Sequence, residues 1–539
     1  MNASPADPFE ECLDPRPTAH PQPLAQRPTG AGTRKLVFFD NGKLSAPYIR
    51  WTPVVAPLVA HLRTMGEVSQ EYADLLLEPV AHHAQYIARW RQQNVDGVVF
   101  GLCDAGVVGP TLLFAAATEA AGIAAVVLCT DQVMDLAATG AAFQAPGLPI
   151  VLLPAGRLDT PAQLAAAAQR IAPEVQHGLC TDAATLLREF AVRFPDANDL
   201  APQPNERVPA AAEFPAFAQE HHMTDGLPVV APTRSRVKRF IDAAQRDPNE
   251  VLIESLSPSG APLTVEKVAA CAAMAGAQPA VFPFVLAALE AMATPDYQVH
   301  LAAITTHPGG NLILFSGPAA DAVGITSGRG CLGPGQRSNV TIGRAVAFTL
   351  LNVGRAVPGL STLSLLGSPA QLTCCFADAP NAPLPRLHTT LGNGHDTIAW
   401  ALKCESPHNV MDHVSSTPES LLGSFCAVAA TAGGNNAYIP GDLLLILNPE
   451  HADIVARAGW SREDVRRFVW ENARNDRAAL QGRGSKPEWP AQWQDLDRLP
   501  VVPSPDRIWT VVAGAPGPQS MVVIPWGYAK AAWRPVASA

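Results

Sequence analysis

Asp96-Gly-Val-Val-Phe-Gly-Leu-Cys103-Asp104-Ala105-Gly106-Val107-Val108 carries the clearest architectural signal in the chain. Gly97–Leu102 is an apolar run too short for a helix, and it closes on a glycine-bearing turn, so it reads as a strand. It does not alternate between apolar and polar residues, which requires both faces to be covered, as in a parallel sheet between helices. Working outward, Leu36–Asp40, Ala124–Cys129 and Ile150–Pro154 read the same way. Amphipathic stretches near 54–65, 75–93, 110–121, 160–171 and 182–193 separate them. Strands interleaved with helices predict a doubly wound α/β domain over residues 35–199. Ligands of such sheets sit outside the carboxyl ends of the strands, where Asn41, Cys103-Asp104 and Thr130-Asp131 are expected to cluster.

Residues 1–34 carry repeated Pro, Ala, Gly and Thr without apolar periodicity and read as a disordered tail. Residues 200–227, with Pro202, Pro204, Pro209 and Pro215, read as an exposed linker. A larger mixed α+β domain is expected over 228–539. Its helices are predicted at 233–245 and 264–276, capped by Thr233 and Thr264, and at 279–293. A further helix is expected from Ser338 or Asn339 to about Val353, and two more over Pro449–Ala458 and Arg462–Asn475. Val299–Thr305, Leu312–Ser316, Ile508–Ala513 and Met521–Pro525 read as strands. No fixed-period repeat is present, which argues against a solenoid or propeller.

At 539 residues the chain is long enough for two to four domains. Hydrophobic residues at 48% and charged residues at 16% describe a globular protein with ample core. The net charge of −10 contains no basic stripe, so nucleic acid is not expected as a partner. The first residues lack the basic end and apolar core of a signal peptide, and no apolar run reaches the roughly 18–20 residues of a membrane helix. The expectation is a cytoplasmic protein that does not bind membranes, with room for a homo-oligomer. Ten cysteines without a CxxC pair suggest neither a disulfide framework nor a zinc ribbon. Cys374-Cys375, if in a strand, would point to opposite faces.

The turn at 103–108 resembles the one that names the UGSC-motif (seleno)protein family. There, a strand ending in Gly-Leu-x-Asp is followed by selenocysteine or cysteine, Gly, Ser and cysteine. Ala105 and Val108 stand here at the two redox positions. Further phrases resemble long members of that family. They include Asp225-Gly-Leu-Pro228, Pro262-Leu-Thr-Val-Glu-Lys-Val268, Thr305-Thr-His-Pro308, Thr341-Ile-Gly-Arg344, Pro407-His-Asn409, Asn435-Asn436 and Gly459-Trp-Ser461. In the Gly-rich segment 513–520 the family would have Lys-His where Pro518-Gln519 stand. The resemblance implies a two-domain cytosolic protein of thiol or selenol chemistry, in a member whose redox residues are replaced.

Several residues could carry chemistry. Glu405-Ser-Pro-His408-Asn409-Val-Met-Asp412-His413 is the densest polar constellation. From a loop, its two imidazoles and carboxylate would form an acid–base pair or hold a divalent metal; otherwise they satisfy the loop's own backbone. His307, at a strand end before Pro308-Gly309-Gly310, is a candidate catalytic imidazole, or a partner for the turn. Joined to His408 and His413 it would complete a three-imidazole site. The entrance to the helix at 338, with Arg337, Asn339 and Arg344 nearby, would favour an anion. Cys331 beside it is the thiol expected to ionise most readily. Cys103 could replace the lost nucleophile, while Asp104 would cap the following helix or touch a ligand. Asn409, Asn435 and Asn436 complete the binding candidates.

The leading functional expectation is an enzyme acting on a small anionic organic molecule by acid–base chemistry, of lyase or hydrolase type, in the second domain. The alternatives are a thiol-dependent oxidoreductase using Cys103 or Cys331, and a non-catalytic degenerate paralogue or partner subunit.

Overall fold

The computed structural model describes residues 8–18, 21–27, 33–44, 51–75, 80–156, 158–200, 206–392, 396–484 and 489–537. The first sheet holds β1 (Arg34–Asp40), β2 (Gly66–Tyr72), β3 (Gly97–Cys103), β4 (Ala124–Thr130) and β5 (Ile150–Leu153). Its order is β2-β1-β3-β4-β5 and every pairing is parallel. β3 and β4 are buried at every residue, which explains their unbroken apolar sequence. β2, Gly-Glu-Val-Ser-Gln-Glu-Tyr, escaped the sequence reading because it is a largely exposed edge strand with little to bury.

The chain order reverses between β1 and β3, the usual ligand crevice of such a sheet. Of the residues expected to cluster there, Asn41, Cys103, Asp104 and Thr130 are buried and Asp131 is exposed. Asn41 is buried, and its Nδ2 donates to Leu102 O at 3.2 Å and Thr111 Oγ1 at 3.1 Å. Asp104 is buried too and accepts from Thr130 Oγ1 at 3.4 Å. Asp104 directly precedes the 3-10 turn Ala105–Val107, which runs into the helix Val108–Ala120; at Val107 that helix has no side-chain cap.

The expected tail and linker are built into the fold where they are described. Cys12 bridges Thr233, and Arg27 is buried against Glu119, a residue of the first domain. Phe214 and Met223, within 200–227, are fully buried, and Phe214–Glu220 is helical. Proline content marked these segments as irregular, yet their few apolar side chains dock on neighbouring cores. Residues 1–7, 19–20, 28–32 and 201–205 of the two segments lie outside the described residues.

A hairpin, β6 (Val251–Leu256) and β7 (Ala261–Thr264), opens the second half. Thr233 and Thr264 cap their helices as expected, accepting from Arg236 N and Lys267 N. Next come β8 (Gly310–Ser316), β9 (Cys375–Ala377), β10 (Ile398–Cys404), β11 (His408–Met411), β12 (Leu443–Leu447) and the short pair β13 (Arg474–Asp476) and β14 (Arg498–Pro500). β15 (Ile508–Val512), β16 (Gln519–Val523) and β17 (Ala532–Pro535) finish the chain. Apart from the separate β13–β14 pair, they form two mixed sheets, β17-β10-β8-β9 and β11-β16-β12-β15.

Leu312, Leu314, Trp400 and Leu402 from the first of these sheets pack against Leu444, Ile446, Val511 and Val523 from the second. On the outer faces, Ile313, Phe315 and Ala401 belong to the core that includes the helices Phe282–Met292 and Arg337–Asn352. Leu443, Leu445 and Val522 meet the helices Pro418–Ala429, Pro449–Arg457 and Arg462–Asn472. The result is a helix–sheet–sheet–helix sandwich. Cys374 and Cys375 fall into the two different cores, on opposite faces as expected.

Val299–Ile304 is helical, not the strand read from the sequence. Its six residues are nearly all buried, so the apolar run carries no amphipathic period to distinguish helix from strand. Ile304 packs against Gly109, and Gln144 Nε2 donates to Pro258 O at 2.8 Å, so the two halves of the chain share one apolar core. Among the described residues, no helix is long and apolar enough to cross a membrane.

Candidate functional site

Of the seven residues of β10, Ile-Ala-Trp-Ala-Leu-Lys-Cys, all are buried and one is a lysine. A charged residue within an apolar strand is costly unless something compensates it. Lys403 sits directly opposite Asn311 across the antiparallel β8–β10 ladder, so the two side chains share a face. That face opens on a cleft of about 790 Å³ lined also by Thr305, His307, Gly309 and Gln371. The loop at 356–372 forms much of its wall.

Gly309 organises the site. Its N–H donates to His307 Nδ1 at 3.1 Å and its carbonyl accepts from Lys403 Nζ at 2.7 Å. Because Nδ1 accepts, the neutral imidazole carries its proton on Nε2. Nε2 faces Glu405 Oε1 at 4.0 Å, and that oxygen also accepts from Asn435 N at 2.8 Å. The backbone N–H of His307 donates to Thr305 Oγ1 at 3.1 Å, which fixes the turn that carries the ring. Asn311 Oδ1 accepts from the buried Tyr297 hydroxyl at 2.6 Å, which leaves its amide NH2 as the donor on the cleft side. Burial lowers the Lys403 ammonium to about 8 from the 10.5 of an exposed lysine.

The glycine is obligatory for a steric reason. A Cβ at 309 would lie 2.1 Å from Cys404 O and 2.6 Å from the His307 ring. Gly309→Ala is therefore expected to shift both His307 and the end of β10 and to cost about 1–3 kcal/mol, read by urea unfolding.

The other residues singled out from the sequence are placed elsewhere. His408, Asn409 and His413 are exposed, and His408 Nδ1 contacts the carbonyl of Asn409. Among the described residues no three His, Cys, Asp or Glu side chains converge as a metal site, so His307, His408 and His413 do not form the three-imidazole group. Asp412 organises its own loop. Burial opposes its ionisation, but the N–H groups of Ser415 and Val414 and the hydroxyls of Ser415 and Ser424 outweigh that and hold it at about 2.

The helix entrance at 337 lies outside the cleft lined by His307 and Lys403. Gln336 precedes it without a side-chain cap, and Arg337 donates to Gly276 O. Asn339 lies inside the helix and binds Thr326 N, Thr326 O and Cys331 O, fixing the glycine-rich loop. Arg344 is engaged by Asp225 through two hydrogen bonds of 2.7 and 2.8 Å, and by the Pro228 carbonyl. Arg344→Gln should cost about 1.5–3 kcal/mol and raise hydrogen exchange across 224–228, because charge-assisted bonds are lost.

Cys331 is buried, and burial raises its thiol despite nearby N–H groups, the reverse of the expectation. Cys103 is fully buried opposite Cys129 in the β3–β4 register. Asn436 is buried and donates to Ala429 O, away from the cleft. Asn435 meets the site through its backbone N–H, which donates to Glu405.

The sequence reading missed Lys403, Asn311 and the role of Glu405. A lone lysine in an apolar strand was the available signal for the first. Nothing local announced that Asn311 would be its cross-strand neighbour. The helix Val299–Ile304 leads directly into Thr305 and His307, and its Ile304 touches Gly109 just after the turn at 103–108. The first domain thus abuts the support of the cleft. No curated protein matches the chain. The model of the UGSC family matches residues 11–181, the part that contains the whole five-stranded parallel sheet, and this is consistent with a UGSC-family member.

Proposed function

We propose that this protein is a cytosolic enzyme of lyase or hydrolase type that acts on a small anionic organic molecule by acid–base chemistry in the cleft beside β8 and β10. The observation supporting this is the pair of hydrogen bonds on Gly309, which sets an imidazole and a buried ammonium toward one cleft. Lys403 supplies positive charge in a low-dielectric wall, where it attracts an anion far more strongly than at the surface. His307 Nε2–H donates to a developing negative oxygen, and Glu405 is the proton acceptor.

The test is a thermal-shift screen of small carboxylates and phosphate esters against wild type, Lys403→Met and His307→Gln. A ligand at about 100 times its Kd stabilises wild type by about 2.7 kcal/mol. Lys403→Met should lose that response, while His307→Gln retains it and loses turnover of the ligand found. Equal responses in wild type and Lys403→Met would refute the reading.

A further inference from the structure

We propose that Lys403 is a nucleophile that forms an iminium with a carbonyl substrate, an aldehyde or a 2-oxo acid. This deepens the functional reading above and rests on it. Three observations carry it. Lys403 lines the cleft, and its amine donates to the Gly309 carbonyl, which lines the same cleft. No carboxylate forms an ion pair with it among the described residues, whereas a merely structural buried lysine is usually paired. Donors for a carbonyl oxygen stand beside it: the amide NH2 of Asn311 across the ladder and His307 Nε2–H. The lowered affinity of the buried amine for its proton agrees with this geometry, since an unprotonated fraction is available near neutral pH.

The step balances. Nζ loses a proton to solvent in the open cleft, and its lone pair forms the C–N bond as the carbonyl π pair moves to oxygen. The oxygen, held by His307 and Asn311, takes a proton back from solvent and becomes the hydroxyl of a carbinolamine. Nζ releases a second proton, the hydroxyl accepts it and leaves as water, and the C=N bond closes. The two protons lost by the ammonium balance the two that leave with the oxygen. The iminium then acts as an electron sink for breaking a bond at the adjacent carbon, which is lyase chemistry.

The experiment incubates the full chain with pyruvate, glyoxylate or glycolaldehyde, reduces with sodium borohydride, and maps adducts by peptide mass spectrometry. The expected result is a reduced adduct at Lys403 from at least one probe, exceeding any surface lysine by tenfold or more, and its absence from Lys403→Arg. Because the adduct is mapped on the wild-type protein, the result does not depend on how the variant folds. Adducts confined to surface lysines, or none, overturn the proposal. A probe that raises Tm without a Lys403 adduct overturns the iminium and leaves the acid–base reading standing; failure of every anion and carbonyl to bind overturns both.

Discussion

Replacing Arg27 by methionine is expected to lower the unfolding free energy by about 3–5 kcal/mol, a large fraction of what holds a domain together. Arg27 and Glu119 are both fully buried and joined at 2.5 and 2.8 Å. Glu119 also accepts from Ala25 N at 2.6 Å and Ala125 N at 2.7 Å, so one carboxylate ties the N-terminal segment, a helix and β4 together. Burial raises the Glu119 carboxyl, with Arg27 acting in the opposite sense. Removing the guanidinium leaves an uncompensated charge or forces protonation, and either outcome weakens the acceptor for two amides. Arg27→Met/Glu119→Gln should recover only part of the loss, because the amide NH2 cannot accept from the second backbone N–H. Chemical denaturation of the single and double variants tests this. A loss under about 1 kcal/mol for Arg27→Met would show that the N-terminal segment does not dock as described.

The second large effect is a pH-dependent one at Lys403. Its ammonium is held at about 8 when folded and titrates at 10.5 when exposed. Below pH 8 both states are protonated and the folded state bears the full cost of burying the charge. Between pH 8 and 10.5 the unfolded chain binds more protons, so wild-type stability rises with pH across that window. The rise amounts to about 3 kcal/mol. Lys403→Met lacks it. The difference in unfolding free energy between variant and wild type, measured in urea at pH 7.5 and 10.5, should move by about that amount in favour of wild type. A difference independent of pH would mean that Lys403 is not buried as a charge.

Local pattern alone was enough for several parts of the fold. The buried strands of the first sheet followed from their unalternated apolar runs, and the capped helices from Thr233 and Thr264. The opposite orientation of Cys374 and Cys375 followed from the two-residue period of a strand. His307 was legible because a histidine ahead of Pro308-Gly309-Gly310 must sit at a turn. Segments whose role depends on distant partners were not legible. Residues 8–27 look like a tail until Glu119 and Thr233 are placed beside them, and β2 is polar because it is an edge. The polar stretch 405–413 stood out because density of functional groups is visible in one dimension, but which of its members face the cleft is not; Glu405 lies 4.0 Å from His307 Nε2. In the fold, Asp412 satisfies its own loop and the two histidines face solvent. Only tertiary structure brought Lys403 opposite Asn311, 92 positions earlier in the chain, and set His307 and Lys403 on the same glycine. Strand register across a sheet is a long-range choice, fixed by which apolar faces pack together, and a residue's immediate neighbours do not encode it.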